Sequence, residues 1–223
     1  MNDAAIRESH FCGTVRMPRP VLQRHVHRLS VVLRQRPEII LFILLIAVFN
    51  APVLFGGFWS SMIFQPEAVR RGEWWRLLTH PFVHLTWYHL LLDGTAFLSL
   101  YWSIVERRIL VKLSYVVAAG AGSLIASCLA SPLISTNGLC GLSGIAHGLM
   151  AISAVEMLAR ERIERRIGWI TLLLVLAKAG FEAATGRMFF GFLDFGLLGN
   201  PIAVSHAGGI LGALIAVLIL AKK

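Results

Sequence analysis

Six long apolar stretches, at about residues 39–58, 86–105, 109–132, 142–159, 167–185 and 201–221, fill most of this 223-residue chain. Each is close to the roughly 20 residues that a helix needs to cross the hydrocarbon core of a bilayer. The composition points the same way, with 57% hydrophobic and 15% charged residues, too oily for an ordinary soluble domain. Short connections between the stretches make one bundle rather than two domains. The expected fold is therefore an all-α membrane protein, a six-transmembrane-helix bundle over residues 38–223, preceded by a basic cytoplasmic N-terminal arm over residues 1–37.

A net charge of +9 would suggest nucleic acid as the partner of a soluble protein. In a membrane protein the placement of the basic residues carries more information than their sum, and no nucleic-acid partner is expected. With the N-terminus inside, sixteen lysines and arginines fall on the cytoplasmic side. Four (Arg70, Arg71, Arg76 and Arg187) fall on the other, and Lys178 lies inside a span. This asymmetry predicts both termini in the cytoplasm. The first 37 residues, with seven arginines, three prolines and no long apolar run, read as an arm lying near anionic lipid rather than as a cleaved signal peptide. Trp74, Trp75, Trp87 and Trp102 read as an interfacial aromatic belt.

The three cysteines have no metal-binding spacing, so no zinc site is expected, and the serine chemistry of Ser143 and His206 requires no metal or organic cofactor. Cys128 and Cys140 both fall near the outer face, where they are either a disulfide, if the compartment is oxidising, or two buried thiols. Cys12 falls on the reducing side.

Polar groups inside hydrocarbon are costly unless paired or bathed in a cavity, which makes them functional candidates. Spans two, four and six run from outside to inside, so distance from the start of each converts to depth. His89, Ser143 and His206 then all lie within about 10 Å of the outer surface, at about 1.5 Å per helical residue. A shared water-accessible cavity open to the outer face accounts for that common depth. A serine hydroxyl becomes a nucleophile when an imidazole accepts its proton, and the imidazole can then protonate a leaving amine. Ser143 and His206 supply this pair, with no third acidic partner evident.

The backbone amides of Leu142 and Ser143, at a helix start, are candidate oxyanion donors, as is the His89 side chain. Asp93, one turn deeper than His89, accepts from His89 or water if ionised and donates if neutral. His147, one turn below Ser143, is either a second candidate base or a ring packed against His206. Lys178 and Glu182, four apart, form either an intramembrane salt bridge or a substrate or gating contact. His80 and His84 lie in the long outer segment, about residues 59–85, and His84 is placed to bond backbone and hold that segment. Gly144, Gly148 and Ala151 in span four, with Gly208, Gly209 and Gly212 in span six, have the small-residue spacing that lets membrane helices meet backbone to backbone.

Taken together, these residues resemble the rhomboid family of intramembrane serine proteases, over about residues 39–221. Trp75-Arg76 resembles the family's outer-loop tryptophan-arginine pair. His84 and His89 resemble the two histidines around the second helix start, and Glu106 the acidic residue closing that helix. Gly141-Leu142-Ser143-Gly144 is similar to the nucleophile motif, and His206 with Gly209 to the histidine and following glycine of the sixth helix. The likeness implies a rhomboid-like bundle with Ser143 as nucleophile, His206 as general base and His89 as oxyanion donor. Asp93 stands where the family usually has asparagine, and Ala213 where a second glycine is common. Within the family, Gly-Leu-Ser-Gly followed by Ile-Ala-His147-Gly148, the Lys178 and Glu182 pair and the short chain are similar to rhombosortases. These are bacterial members thought to process proteins bearing a C-terminal Gly-Gly sorting helix.

The resemblance implies an endopeptidase in the bacterial inner membrane that cuts membrane-anchored proteins with a C-terminal transmembrane helix, its site opening to the periplasmic side. Two alternatives remain at this point. One is a catalytically inactive rhomboid-like binder of membrane clients. The other is a small transporter, whose polar groups belong near the bilayer midplane; of the candidates only Lys178 and Glu182 suit it.

Overall fold

A computed structural model of the protein describes residues 36–189 and 202–220. The chain divides into two compact units, Met1–Ile40 and Leu41–Lys223. Of the first, only residues 36–40 are described, so the basic arm falls almost wholly outside the described residues.

Six longer helices follow the apolar stretches: α1 (Pro37–Phe49), α2 (Trp87–Ser103), α3 (Ile109–Ala130), α4 (Ser143–Leu158), α5 (Arg162–Thr185) and α6 (Val204–Leu220). Three segments are long and apolar enough to cross a membrane on length and composition alone: Pro37–Phe55, Ile109–Ala130 and Arg162–Thr185. Helices α4 and α6 are apolar but shorter, and α2, with 17 residues, is interrupted by His89 and Asp93.

Boundaries differ from the apolar pattern in two places, each with a local cause. The α-helical part of the first stretch stops at Phe49 and continues as a 3-10 turn over Ala51–Phe55. Pro52 has no N–H to carry the α-ladder on, and the Asn50 side chain donates to the Ile46 carbonyl at 2.7 Å. Helix α5 starts at Arg162 rather than near 167, because Glu164, Arg165 and Arg166 are good helix formers that extend it beyond the apolar run. It ends at Gly186, which takes the left-handed conformation with φ 66°.

The outer segment is a series of short turns laced to one another and to the loop before α4. Arg76, 7% exposed, donates to the carbonyls of Ser60 at 2.8 Å and Ile63 at 2.6 Å and pairs with Glu73 at 2.6 Å. Trp75 Nε1 donates to the Ser61 carbonyl at 3.0 Å and Thr79 Oγ1 to that of Met62 at 2.9 Å. Phe64 and Leu139 form an antiparallel bridge that fastens this segment to the loop before α4. Phe64, Ile134, Leu139 and Ile202 close a small apolar core beneath the bridge.

Helix α6 is wedged between α3 and α4, and the small residues explain how. A Cβ on Gly209 would run into the Gly144 carbonyl of α4, and one on Gly208 into the Gly122 carbonyl of α3. Gly212 lies equally close to the Ala118 carbonyl. The glycine contact between α4 and α6 is as the spacing predicts; α3 enters as a second close partner that the spacing did not point to. Ala151, Val175, Ala179 and Ile210 form the core shared by α4, α5 and α6. Lys112, one of the sixteen basic residues expected on the cytoplasmic side, is 2% exposed, with Nζ 3.9 Å from the centre of the Tyr101 ring.

Candidate active site

Ser143 is the first residue of α4, and Gly141 and Leu142 bring the chain into it. Gly141 has φ 94°, a conformation that side chains rarely adopt. It also leaves room: a Cβ there would lie 2.6 Å from His89 Nε2 and 2.8 Å from Asp93 Oδ2. The loop thus carries its backbone directly against two polar side chains of α2. The Gly141 N–H donates to the His80 carbonyl at 3.1 Å. The next two amides, of Leu142 and Ser143, donate to nothing among the described residues, as expected at the first turn of a helix.

His206 enters from α6, buried at 3% exposure. A Cβ on Gly144 would lie 3.1 Å from the Ser205 carbonyl, so the neighbours of Ser143 and His206 are in contact across the α4–α6 seam. Among the described residues Ser143 Oγ makes no hydrogen bond, so the two helices bring the pair to one seam without joining their side chains. His147 lies parallel to His206, with ring centroids 4.0 Å apart and planes 13° from parallel. Of its two expected roles the structure gives it the packing one.

The expectation that His206 lacks an acidic partner is corrected here. Its Nδ1 is 2.7 Å from Oε2 of Glu182, a residue of α5 that is fully buried. Lys178 reaches both Glu182 oxygens, at 2.7 and 2.8 Å, and His147 Nε2 at 2.9 Å. The signal that the acid belongs to His206 was absent from the sequence, since i, i+4 spacing shows only that Lys178 and Glu182 can pair with each other.

On the other flank, Thr86 caps α2 by accepting from the His89 N–H at 3.2 Å. His89 Nδ1 accepts from the Leu85 N–H at 3.4 Å, which leaves the ring proton on Nε2, 3.2 Å from Asp93 Oδ2. His84 has the backbone partner expected of it, Phe82, and is held by Asn50 as well. Its N–H and its Nδ1 both meet Asn50 Oδ1, at 2.9 and 3.1 Å. The Asn50 amide in turn donates to the carbonyls of Ile46 and Phe82, both at 2.7 Å. That donor pattern makes Oδ1 the acceptor, puts the His84 proton on Nδ1 and turns Nε2 toward Asp93 Oδ2, 3.7 Å away. Asn50 is a positioning residue that sequence reasoning missed, although a lone asparagine in an apolar stretch was a usable signal.

Burial holds both outer histidines neutral. His80 is pushed down to about 4, chiefly by loss of water, against the bond from its Nδ1 to the Arg76 carbonyl at 3.0 Å. His84 is likewise lowered to about 4 by burial, with His89 adding to the effect. The Glu106 carboxylate is held down to about 2 by its hydrogen bonds from Arg108. Cys128 and Cys140 are free thiols rather than a disulfide, and burial pushes Cys140 up to about 12. Trp74, Trp75 and Trp87 are exposed, as is Trp102.

These features define a class: an all-α integral membrane protein in which a serine at a helix start and a histidine on a neighbouring helix flank one glycine seam. Residues 71–223 match the rhomboid domain, and the chain belongs to the rhomboid family. It is 31% identical over 180 residues to the rhomboid protease GluP of Bacillus subtilis (strain 168), an alignment covering 73% of this chain and 32% of that protein. The chain therefore spans about a third of the length of that curated relative. No solved structure matches it significantly.

Proposed function

We propose that the protein is an intramembrane serine endopeptidase, with Ser143 as nucleophile and His206 as general base. The observation that carries this reading is the α4–α6 seam. Gly144 follows Ser143 directly, and Gly209 lies three residues after His206; the two glycines touch through main chain, which holds both reacting residues at one junction. Family membership and the likeness to a rhomboid protease support the same activity.

In this reading Ser143 Oγ attacks the scissile carbonyl while His206 Nε2 takes the hydroxyl proton. The negative charge passes to the carbonyl oxygen, which receives the free amides of Leu142 and Ser143 and the Nε2 proton of His89. Asp93, whose Oδ2 lies 3.2 Å from the same Nε2, stands beside the oxyanion space and sets its polarity. Collapse breaks the C–N bond, and His206 returns its proton to the leaving amine. Water then attacks the acyl ester with His206 again as base, which releases the acid and restores Ser143. Gly141 keeps the oxyanion space open, Gly209 keeps the helices close, and Trp75 with Arg76 fixes the outer segment over the site. No cofactor takes part in these steps.

Six spans with both termini in the cytoplasm, and a site open to the outer face of a bacterial inner membrane, agree with the charge asymmetry. Residues 1–37 form the basic arm and residues 38–223 the membrane domain. The substrates are membrane-anchored proteins with a C-terminal transmembrane helix. The rhombosortase-like motifs favour Gly-Gly sorting helices among them. The test is cleavage of a reporter bearing such a helix by the purified protein and by Ser143→Ala, read by mass. Cleavage by the parent alone supports the protease. If neither cuts this reporter or a general rhomboid substrate while both remain folded, the inactive client-binding reading takes its place.

A further inference from the structure

The ion pair on α5 has no place in a two-residue mechanism, yet its carboxylate accepts four hydrogen bonds. Glu182 accepts from Lys178 at both oxygens, from the Phe189 N–H at Oε1, 3.0 Å, and from His206 Nδ1 at Oε2. The third ammonium proton of Lys178 goes to His147 Nε2, and His147 Nδ1 donates to the Ser143 carbonyl at 2.7 Å. One chain of hydrogen bonds therefore runs from the backbone of the nucleophile through α5 to the ring of His206.

Resting on the protease reading above, we propose that Glu182 is a positioning residue that makes the Ser143–His206 pair a three-membered relay, with Lys178 and His147 holding its carboxylate in place.

The tautomers follow from the partners. A carboxylate only accepts, so His206 carries its proton on Nδ1 and presents the Nε2 lone pair, the atom that must take the serine proton. His147 is set the same way round by the Ser143 carbonyl, but its Nε2 lone pair is occupied by Lys178. It is thus excluded as the base and serves as a flat wall that stops His206 from rotating. When His206 takes the serine proton, the imidazolium faces a carboxylate at 2.7 Å in a site with little water to screen it. Lys178 makes this arrangement possible in a bilayer: a lone buried carboxylate would be prohibitively costly, whereas the Lys178–Glu182 pair is neutral as a unit.

Glu182→Gln tests the idea in a directional way. Lys178 reaches both positions, whereas the Phe189 N–H demands an acceptor at Oε1 alone, so the amide oxygen points there and its NH2 faces His206. Nδ1 then becomes the acceptor, the ring proton moves to Nε2, and the base is blocked. In soluble serine proteases a wrong tautomer of this kind costs about 10⁴-fold in kcat. Because Glu182→Gln alone leaves a buried ammonium, a second variant, Glu182→Gln with Lys178→Met, removes both charges. The Phe189 N–H still orients its amide.

The measurement is the rate of labelling by a small fluorophosphonate, in which Ser143 Oγ bonds to phosphorus, fluoride leaves and His206 takes the proton. Melting temperature and the reporter's kcat and KM are read on the same samples. Labelling and kcat at least about 100-fold slower in the double variant, with melting temperature kept and KM within about threefold, is the expected result. A double variant that labels within about threefold of the parent overturns the proposal while leaving the protease reading intact. A folded parent that does not label at all refutes that reading, and the relay with it.

Discussion

Gly209→Ala should separate the two helices that hold the reacting residues. A Cβ at this position would overlap the Gly144 carbonyl oxygen and lie 2.6 Å from its carbon and 3.2 Å from its Cα. The three nearest atoms are all main chain, so no side-chain rotation relieves the contact, and α6 must move from α4 by on the order of 1 Å. Overpacking of this kind costs about 1–3 kcal/mol. At about 2–4 °C per kcal/mol for a chain of this size, the melting temperature falls by several degrees. His206 moves with α6 while Ser143 stays with α4, and a misplacement of about 1 Å costs about 10²-fold in rate. The assay is fluorophosphonate labelling and thermal unfolding in one detergent, with Gly180→Ala as the control. An added Cβ on Gly180 meets nothing within 4 Å, so that change should leave labelling unaltered and add up to about 1 kcal/mol of helix stability. If Gly209→Ala labels within about twofold of the parent at an unchanged melting temperature, the close approach of α4 and α6 is not what sets the reacting geometry.

Three further outcomes are expected. Asn50→Ala strips the His84 N–H and the Phe82 carbonyl of their buried partner and should cost about 1–3 kcal/mol for each group left unsatisfied, read as a lower melting temperature. N-ethylmaleimide at pH 8 should leave Cys140 unmodified in the folded protein and modify it in SDS, because burial raises its thiol to about 12; prompt reaction in the native state would contradict that burial. His80 and His84, both near 4 when folded against 6.5 when unfolded, give the unfolded chain the greater proton uptake between those values. Stability is then full above about pH 6.5 and falls as the pH drops toward 4, by up to about 3 kcal/mol for each histidine. His80→Gln with His84→Gln should flatten that acid limb in a melting-temperature series.

The helices and the main candidates were legible in the sequence because both leave one-dimensional marks. Apolar length places α3 almost to the residue, and Gly-Leu-Ser-Gly marks the start of α4, since the helix begins where the loop glycine allows. What escaped was set by contacts between distant segments. Asn50 finds His84 across 34 residues, and Glu182 finds His206 across 24. No periodicity encodes either pairing. Helix spacing gave the contact between Gly144 and Gly209, yet the equally tight contact of Gly208 with Gly122 went unread. Gly122 stands four residues from both Ala118 and Ala126, the same small-residue spacing, and the contacts of Gly208 and Gly212 fall on that stripe.

The same physics that hid Glu182 explains why it can be there. In water, a carboxylate beside a histidine competes with solvent for the imidazole proton and gains little. In a bilayer the competition disappears, but the cost of burying the charge rises, and only a carboxylate whose every lone-pair direction is filled is tolerable. Lys178 and the Phe189 N–H fill three of those directions and leave one for His206. The ammonium thus does more than balance charge, because by occupying the rest of Glu182 it leaves His206 as the remaining outlet. A lysine four residues before the acid, on a helix that carries neither the nucleophile nor the base, is therefore the feature to seek when a membrane serine hydrolase shows a histidine with no acidic neighbour on its own helix.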